Sequence, residues 1–239
     1  MTMKTDLVNY YRLHDSYLRY AHSEARTKQL SDVYKSNKRY FGNRVLDLAC
    51  GGGVLGFILE QRRHNYTGVD INPDMISAAR DHAKHVGSRN LFLKAEVTQL
   101  RIGGRFDTIC MLGNALWHFS VSDFARVLQK VTPHGARGSH FIVDYRDLVS
   151  LMFHKQWNLK TKLVQRDRGR ISITKGCDSK AGFVIVATSD LSGRNKVQFA
   201  HAIWSPFIIS AIMREHGWVL KRRQLSKRWA GWLDVYSKT

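Results

Sequence analysis

VLDLACGGG, residues 45–53, decides how this chain is read. An apolar run that can only be a short strand carries one acid, Asp47, and breaks at once into a glycine cluster. VLGFILEQ follows, with Val54, Leu55, Ile58 and Leu59 spaced for one side of a helix. A strand, a glycine turn and a helix in that order make a cradle in which backbone N–H groups face a ligand. The first question is which ligand.

Outward from this stretch the strand–helix rhythm repeats. Residues 66–69 form a second strand that ends at Asp70. Asn72 and Pro73 then open a helix with Met75, Ile76 and Ala79 facing inward. Residues 91–93 and 106–112 supply the third and fourth strands, 123–131 a helix, and 140–145 the fifth strand. That alternation predicts a mostly parallel sheet with helices on both faces. After Asp147 the helices stop. Residues 163–174, 183–188 and 197–203 are β-prone pieces separated by turn residues, which predicts a small antiparallel insert. A helix from Ser205-Pro206 to Met213 and two strands, 218–220 and 234–237, close the chain. The expected division is a helical cap (1–40), a cofactor-binding core (41–150), an insert or lid (151–203) and a closing segment (204–239). In such a sheet the ligand lies at the carboxyl ends of the strands. Asp47, Asp70, Glu96, Gly113, Asn114 and Tyr145 stand there.

Composition narrows the function classes. The 239 residues include 11 Phe, 9 Tyr and 6 Trp, enough for a real core. Three cysteines are too few for a disulfide framework, and no His/Cys/carboxylate spacing fits a metal. No apolar signal core or 18-residue apolar run is present, so a cytoplasmic protein without a membrane span is expected. The charge is +19, from 38 Lys+Arg and 19 Asp+Glu, so a polyanion stays among the candidate partners. KRRQLSKRWAGW near the C-terminus sets Lys221, Arg222, Arg223, Lys227 and Arg228 beside Trp229 and Trp232, a pattern that can follow phosphates and stack bases. It equally fits strands with charged outer faces. If the strand alternates, Lys221 and Arg223 share a face and Arg222 points away.

Gly51, Gly53 and Gly56 spell G-x-G-x-x-G, and Asp70 follows at the distance of a ribose-binding acid, as in dinucleotide sites. Asp47 argues for another cofactor. A carboxylate beside the glycine turn repels a pyrophosphate but suits S-adenosylmethionine, which carries an ammonium and a sulfonium. Ala49 stands where a third glycine is usual, and its methyl is acceptable if the strand continues through it at negative φ.

DLACGGG resembles motif I of the class I S-adenosylmethionine-dependent methyltransferases. GVDINPDMI resembles their second motif, FLKAEVTQL their adenine-binding turn, and FDTICMLGNALWHF their fourth motif. A-C-G, LGNALWH and FIVDYRD are closest to the glycine N-methyltransferase-like group, with Ala115 and Tyr145 departing from its Ser and His. The resemblance implies a Rossmann-like class I methyltransferase sheet with an antiparallel last strand. It also implies a cofactor site of Asp47, Ala49, Gly51, Gly53, Asp70, Ile71, Met75, Glu96, Val97 and Leu112, with Arg26 on the cofactor's carboxylate. The methyl acceptor would meet Asn114, which orients a nucleophile, the Gly113 carbonyl, which receives an amine proton, and His118, a general base. Trp117 could wall the pocket, and Tyr10, Tyr17 and Tyr20 could close it. The expected reaction is N-methylation of a small amine or amino-acid-like molecule, and a basic site would suit an anionic one. An RNA methyltransferase using the basic C-terminal half, and a non-catalytic cofactor-binding protein, are the alternatives. Oligomeric state is left open.

Overall fold

The structure is a computed structural model that describes residues 23–154, 162–165, 170–190, 192, 196–226 and 231–239. The first described helix, α1 (Glu24–Asn37), is followed by β1 (Arg44–Leu48), α2 (Val54–Glu60), β2 (Asn65–Asp70), α3 (Pro73–His85) and β3 (Leu91–Lys94). Then come β4 (Phe106–Met111), α4 (Val121–Val131), β5 (Gly135–Arg146) and the short α5 (Leu148–Phe153). Strands β6 (Lys162–Gln165), β7 (Arg170–Asp178), β8 (Phe183–Asp190) and β9 (Val197–Ala202) precede α6 (Pro206–Glu215), β10 (Trp218–Ser226) and β11 (Gly231–Lys238).

Side-chain caps start the helices, at Asn72-Pro73 as the sequence suggests and at Ser23 and Ser120 unforeseen. Ser23 accepts from the Arg26 N–H (3.2 Å) at the head of α1. Asn72 accepts from Asp74 (2.9 Å) and Met75 (3.4 Å), and Pro73 occupies the first turn of α3. Ser120 and Asp123 form a reciprocal capping box on α4.

Seven strands form one sheet in the order β10-β11-β5-β4-β1-β2-β3. Pairs β1–β2, β2–β3, β1–β4 and β4–β5 are parallel, while β11 is antiparallel to both β5 and β10. Only β11 therefore runs against the rest, as expected from the sequence. The period of two sorts the strands into two cores. Leu46, Leu48, Ile109, Met111, Phe141 and Val143 pack with Phe124, Val127 and Leu128 of α4 and Ile209 and Met213 of α6. Their neighbours Val45, Cys110 and Ile142 pack with Leu30 of α1, Leu55, Ile58 and Leu59 of α2, and Ile76 and Ala79 of α3. Truncating any one of the fully buried leucines costs about 2–5 kcal/mol.

The insert is a separate antiparallel sheet, β6-β7-β8-β9. It has four strands rather than the expected three, because residues 163–174 divide between β6 and β7. Strands β5, β10 and β11 are also longer than expected. In β5 the glycines and polar residues of 135–139, such as Arg137 and Ser139, hide the first part of the strand from a reading based on apolar runs. No helix among the described residues is long and apolar enough to cross a membrane.

The basic C-terminal stretch behaves differently from a simple alternating strand. A register shift lies between Leu220 and Arg222. Arg223 turns inward, donating from Nε (2.8 Å) and Nη2 (2.6 Å) to Asp234, which is wholly buried. Tyr145 and Tyr236 also donate to Asp234, each at 2.9 Å. Arg222 instead reaches the Ser36 carbonyl of α1 (2.7 Å). Arg223 is therefore committed to a buried ion pair. Tyr145, fully buried, points into that network and not into the strand-end crevice, because side chains alternate along β5 and its neighbour Asp144 takes the crevice side. Lys227, Arg228 and Trp229 lie outside the described residues, as do Tyr10, Tyr17 and Tyr20. Trp232 donates to Asp147 Oδ2 (3.1 Å).

Candidate active site at the carboxyl ends of the strands

The turn after β1 holds the densest set of left-handed residues. Ala49, Gly51 and Gly53 have φ of 56°, 56° and 73°. Ala49 is thus a correction to the sequence reading: the strand stops before it, and its methyl sits in a conformation glycine normally fills. The glycines divide their duties. A Cβ on Gly53 would overlap the Phe92 ring, and one on Gly56 would come within 2.6 Å of Tyr66. These two are small because aromatic rings pack on them. Among the described residues nothing lies within 4 Å of a would-be Gly51 Cβ, so its backbone borders open space there.

Asp70 ties this turn to β2. Its Oδ2 accepts from the Gly51 N–H (2.8 Å) and its Oδ1 from the Asn72 N–H (2.8 Å). The Ile71 backbone also lies against this carboxylate, whose two oxygens have four lone-pair positions in all. Burial nonetheless raises the Asp70 pKa, against the lowering effect of its backbone hydrogen bonds. Asp47 is buried beneath the same turn and accepts from the Tyr66 hydroxyl (2.7 Å). Burial pushes it up to about 7, opposed by that hydrogen bond and by the Arg26 charge. Arg26 itself lies across the strand ends. Its Nη2 is 2.7 Å from where a Gly113 Cβ would be, and its charge is felt by both Asp47 and Asp144.

The remaining cofactor candidates fall around this turn with unequal exposure. Ile71 and Glu96 are partly exposed, and Glu96 accepts from the Thr98 hydroxyl. Met75, Val97 and Leu112 are buried in the core, at 3%, 5% and 4% exposure. At most the edges of these three face a ligand.

Next to this lip, Gly113 (φ 92°) and Asn114 (φ 61°) turn the chain after β4. Asn114 donates its N–H to Asp144 Oδ1 (2.7 Å), and its Oδ1 accepts from the Arg146 N–H (3.0 Å). A backbone N–H can only donate, so the oxygen end of the amide is fixed and Nδ2 is its remaining donor. A short 3-10 turn, Ala115–His118, follows. The protein packed around His118 pushes its imidazole down to about 4. Trp117 stacks on His201 of β9 (3.8 Å between centroids, 17° between planes), and the Arg146 guanidinium lies 4.7 Å over the indole. His201 and Asp144 are residues the sequence reading missed. The first lies in the insert, whose docking no local pattern reveals. Asp144 sits in FIVDYRD, where strand alternation from Tyr145 would have found it.

Known proteins match this architecture. Residues 45–137 match the family described as a methyltransferase domain. A solved structure of a Pyrococcus horikoshii OT3 protein superposes with a TM-score of 0.76 at 23% identity, covering 96% of this chain and 98% of that one. The fold is that of the class I methyltransferases. An amino pentose methyltransferase of Micromonospora echinaspora, solved with its cofactor bound, gives 0.63 at 15% identity over 94% of this chain and 96% of that one. A ubiquinone biosynthesis O-methyltransferase of Vibrio cholerae is 32% identical over 69 residues, 29% of this chain. That stretch spans only 28% of the relative's length.

Proposed function

We propose that this chain is an S-adenosylmethionine-dependent methyltransferase that methylates the nitrogen of a small amine, in the manner of the glycine N-methyltransferase-like group. The observation that carries the cofactor is the pairing of Gly51 and Asp70. A left-handed glycine bordering open space among the described residues hydrogen-bonds a strand-end carboxylate that suits a ribose diol. The residues fit the group in charge as well: Asp47 suits its ammonium, and Arg26 its carboxylate. Ala49, Gly53, Ile71, Met75, Glu96, Val97 and Leu112 complete the walls, with Glu96 on the adenine amine. When bound, S-adenosylmethionine supplies a methyl carbon already activated by a sulfonium.

The chain's own work is then to align an acceptor and keep water out. Asn114 offers Nδ2–H to the acceptor, and the Gly113 carbonyl takes a proton of an amine. His118, Trp117 and His201 wall the acceptor side beneath the insert, which serves as a lid. Burial pushes the His118 imidazole down to about 4, too weak a base to take a phenol's proton at about 10. A neutral amine attacks through its own lone pair and can release its proton to water, so nitrogen is the acceptor that suits this site. His118 is then assigned to orient the acceptor, in place of the base read in the sequence. Arg146 gives the acceptor side a cation, which suits an anionic substrate. The RNA alternative loses Arg223 to its buried partner.

The test is methyl transfer from labelled S-adenosylmethionine to glycine, ethanolamine, glucosamine, catechol and total RNA. Transfer to an amine alone is expected. Transfer to catechol or RNA alone would overturn the acceptor class.

A further inference from the structure

Asp144 closes β5 on the crevice side of the sheet, and neither the transfer chemistry nor the cofactor contacts above use it. It is buried, at 3% exposure, yet it is not a core ion pair. Its Oδ1 accepts the Asn114 N–H at 2.7 Å, and the neighbouring Gly113 backbone lies close enough to favour the charged carboxylate. Gly113 and Asn114 are consecutive left-handed residues. Two successive N–H groups converging from such a turn form a concave anion nest. Here the anion is one of the chain's own side chains.

The tie is reciprocal. While β5 sends a side chain to the backbone after β4, Asn114 sends its Oδ1 to the backbone of β5 at Arg146 (3.0 Å). The two strand ends are thereby stitched twice within three residues of each other. The charge-assisted hydrogen bond to the carboxylate offsets the cost of the left-handed asparagine backbone. Arg26 leans on Gly113 from the other side, so the charge of Asp144 also helps hold the guanidinium over the turn.

We infer that Asp144 is a positioning residue: its carboxylate fills the nest of Gly113 and Asn114 and thereby fixes both groups that meet the methyl acceptor. The inference rests on the proposed roles of Gly113 and Asn114, but the nest itself can be tested apart from them. Asp144→Asn keeps the shape and one acceptor oxygen while removing the charge. Asp144→Ala removes both.

In the full-length chain, amide hydrogen exchange by NMR should speed up at least tenfold at Gly113 and Asn114 in D144A, and less in D144N. Amides of β1 and β2 should change less than twofold. A purely structural role would loosen the sheet evenly. In methyl transfer to glycine, ethanolamine and glucosamine, kcat should fall at least tenfold in D144A, with the KM for S-adenosylmethionine within threefold. The double variant D144A/N114A should be no slower than the slower single variant. Unchanged exchange at Gly113 and Asn114 overturns the nest, and kcat losses that multiply overturn positioning through Asn114. If the wild-type chain neither binds the cofactor nor methylates any of the three amines, the functional reading has failed, and the exchange data still decide the nest.

Discussion

Gly51 and Gly53 belong to one motif, yet the same substitution should act on them in opposite ways. At Gly51 an alanine meets open space, so its folding cost is the left-handed backbone alone, about 1 kcal/mol. Ala49, at the same φ of 56°, already carries such a methyl in this fold. At Gly53 the backbone cost recurs, and the methyl also lands on the Phe92 ring. That ring is buried and held by Phe57 (5.7 Å) and Tyr66 (5.8 Å), so it has little room to retreat. Overpacking adds about 1–3 kcal/mol, for a total of about 2–4. In a chain of this size each kcal/mol moves Tm by about 2–4 °C. Gly51→Ala should thus lower Tm by only about 2–4 °C but weaken S-adenosylmethionine binding at least tenfold, because the methyl occupies the ligand's space. Gly53→Ala should lower Tm by about 5–15 °C. Thermal melts followed by calorimetry on the folded variants give both numbers. Equal loss of Tm in the two variants, or full cofactor affinity in Gly51→Ala, would refute the division of labour.

Ala49→Gly removes a left-handed methyl and should raise stability by about 0.5–1 kcal/mol after the added freedom of the unfolded glycine is subtracted, measured by urea denaturation. A lower midpoint would contradict the strain at Ala49. Asp47, raised to about 7, holds a proton in the folded chain that the unfolded chain loses near 3.8, so its contribution to stability falls as pH rises from about 4 to 7 and then levels off. Asp47→Asn should flatten that limb in urea melts, and an unchanged pH profile would show that Asp47 is not the source. His118, lowered to about 4, acts with the opposite sign, costing stability as pH falls from about 6.5 towards 4. His118→Gln should remove that acid loss, while a slope as steep as the wild type's would contradict a buried neutral imidazole. Methyl transfer should rise with pH as the amine acceptor loses its proton and show no inflection near 6.5. An inflection there would return His118 to the role of base.

The sheet was legible because strand ends carry their own punctuation. Asp47, Asp70 and the glycines mark the turns, and Asn72 and Pro73 mark a helix start. What the sequence hid was long-range. The β10 register shift and the Arg223–Asp234 pair follow from which strand lies beside which. The Trp117–His201 stack depends on how the insert docks. Ala49 was misread because a strand pattern carries no sign of φ, and its methyl looked like one more apolar strand residue. Tyr145 and Asp144 exchanged places in the reading because the acid was counted as part of a motif and its face of the strand was not. Asp70, Gly51 and Asn114 stood where their motifs put them, since each is fixed by hydrogen bonds to residues at most 32 positions away.

The most direct test is calorimetric titration of the wild-type chain and of Asp70→Ala with S-adenosylmethionine. One-to-one binding by the wild type and at least a tenfold weaker complex with the variant are expected, since the variant loses the carboxylate beside Gly51 that we propose accepts the ribose. No binding to the folded wild-type chain, or equal affinity in both, would contradict the site.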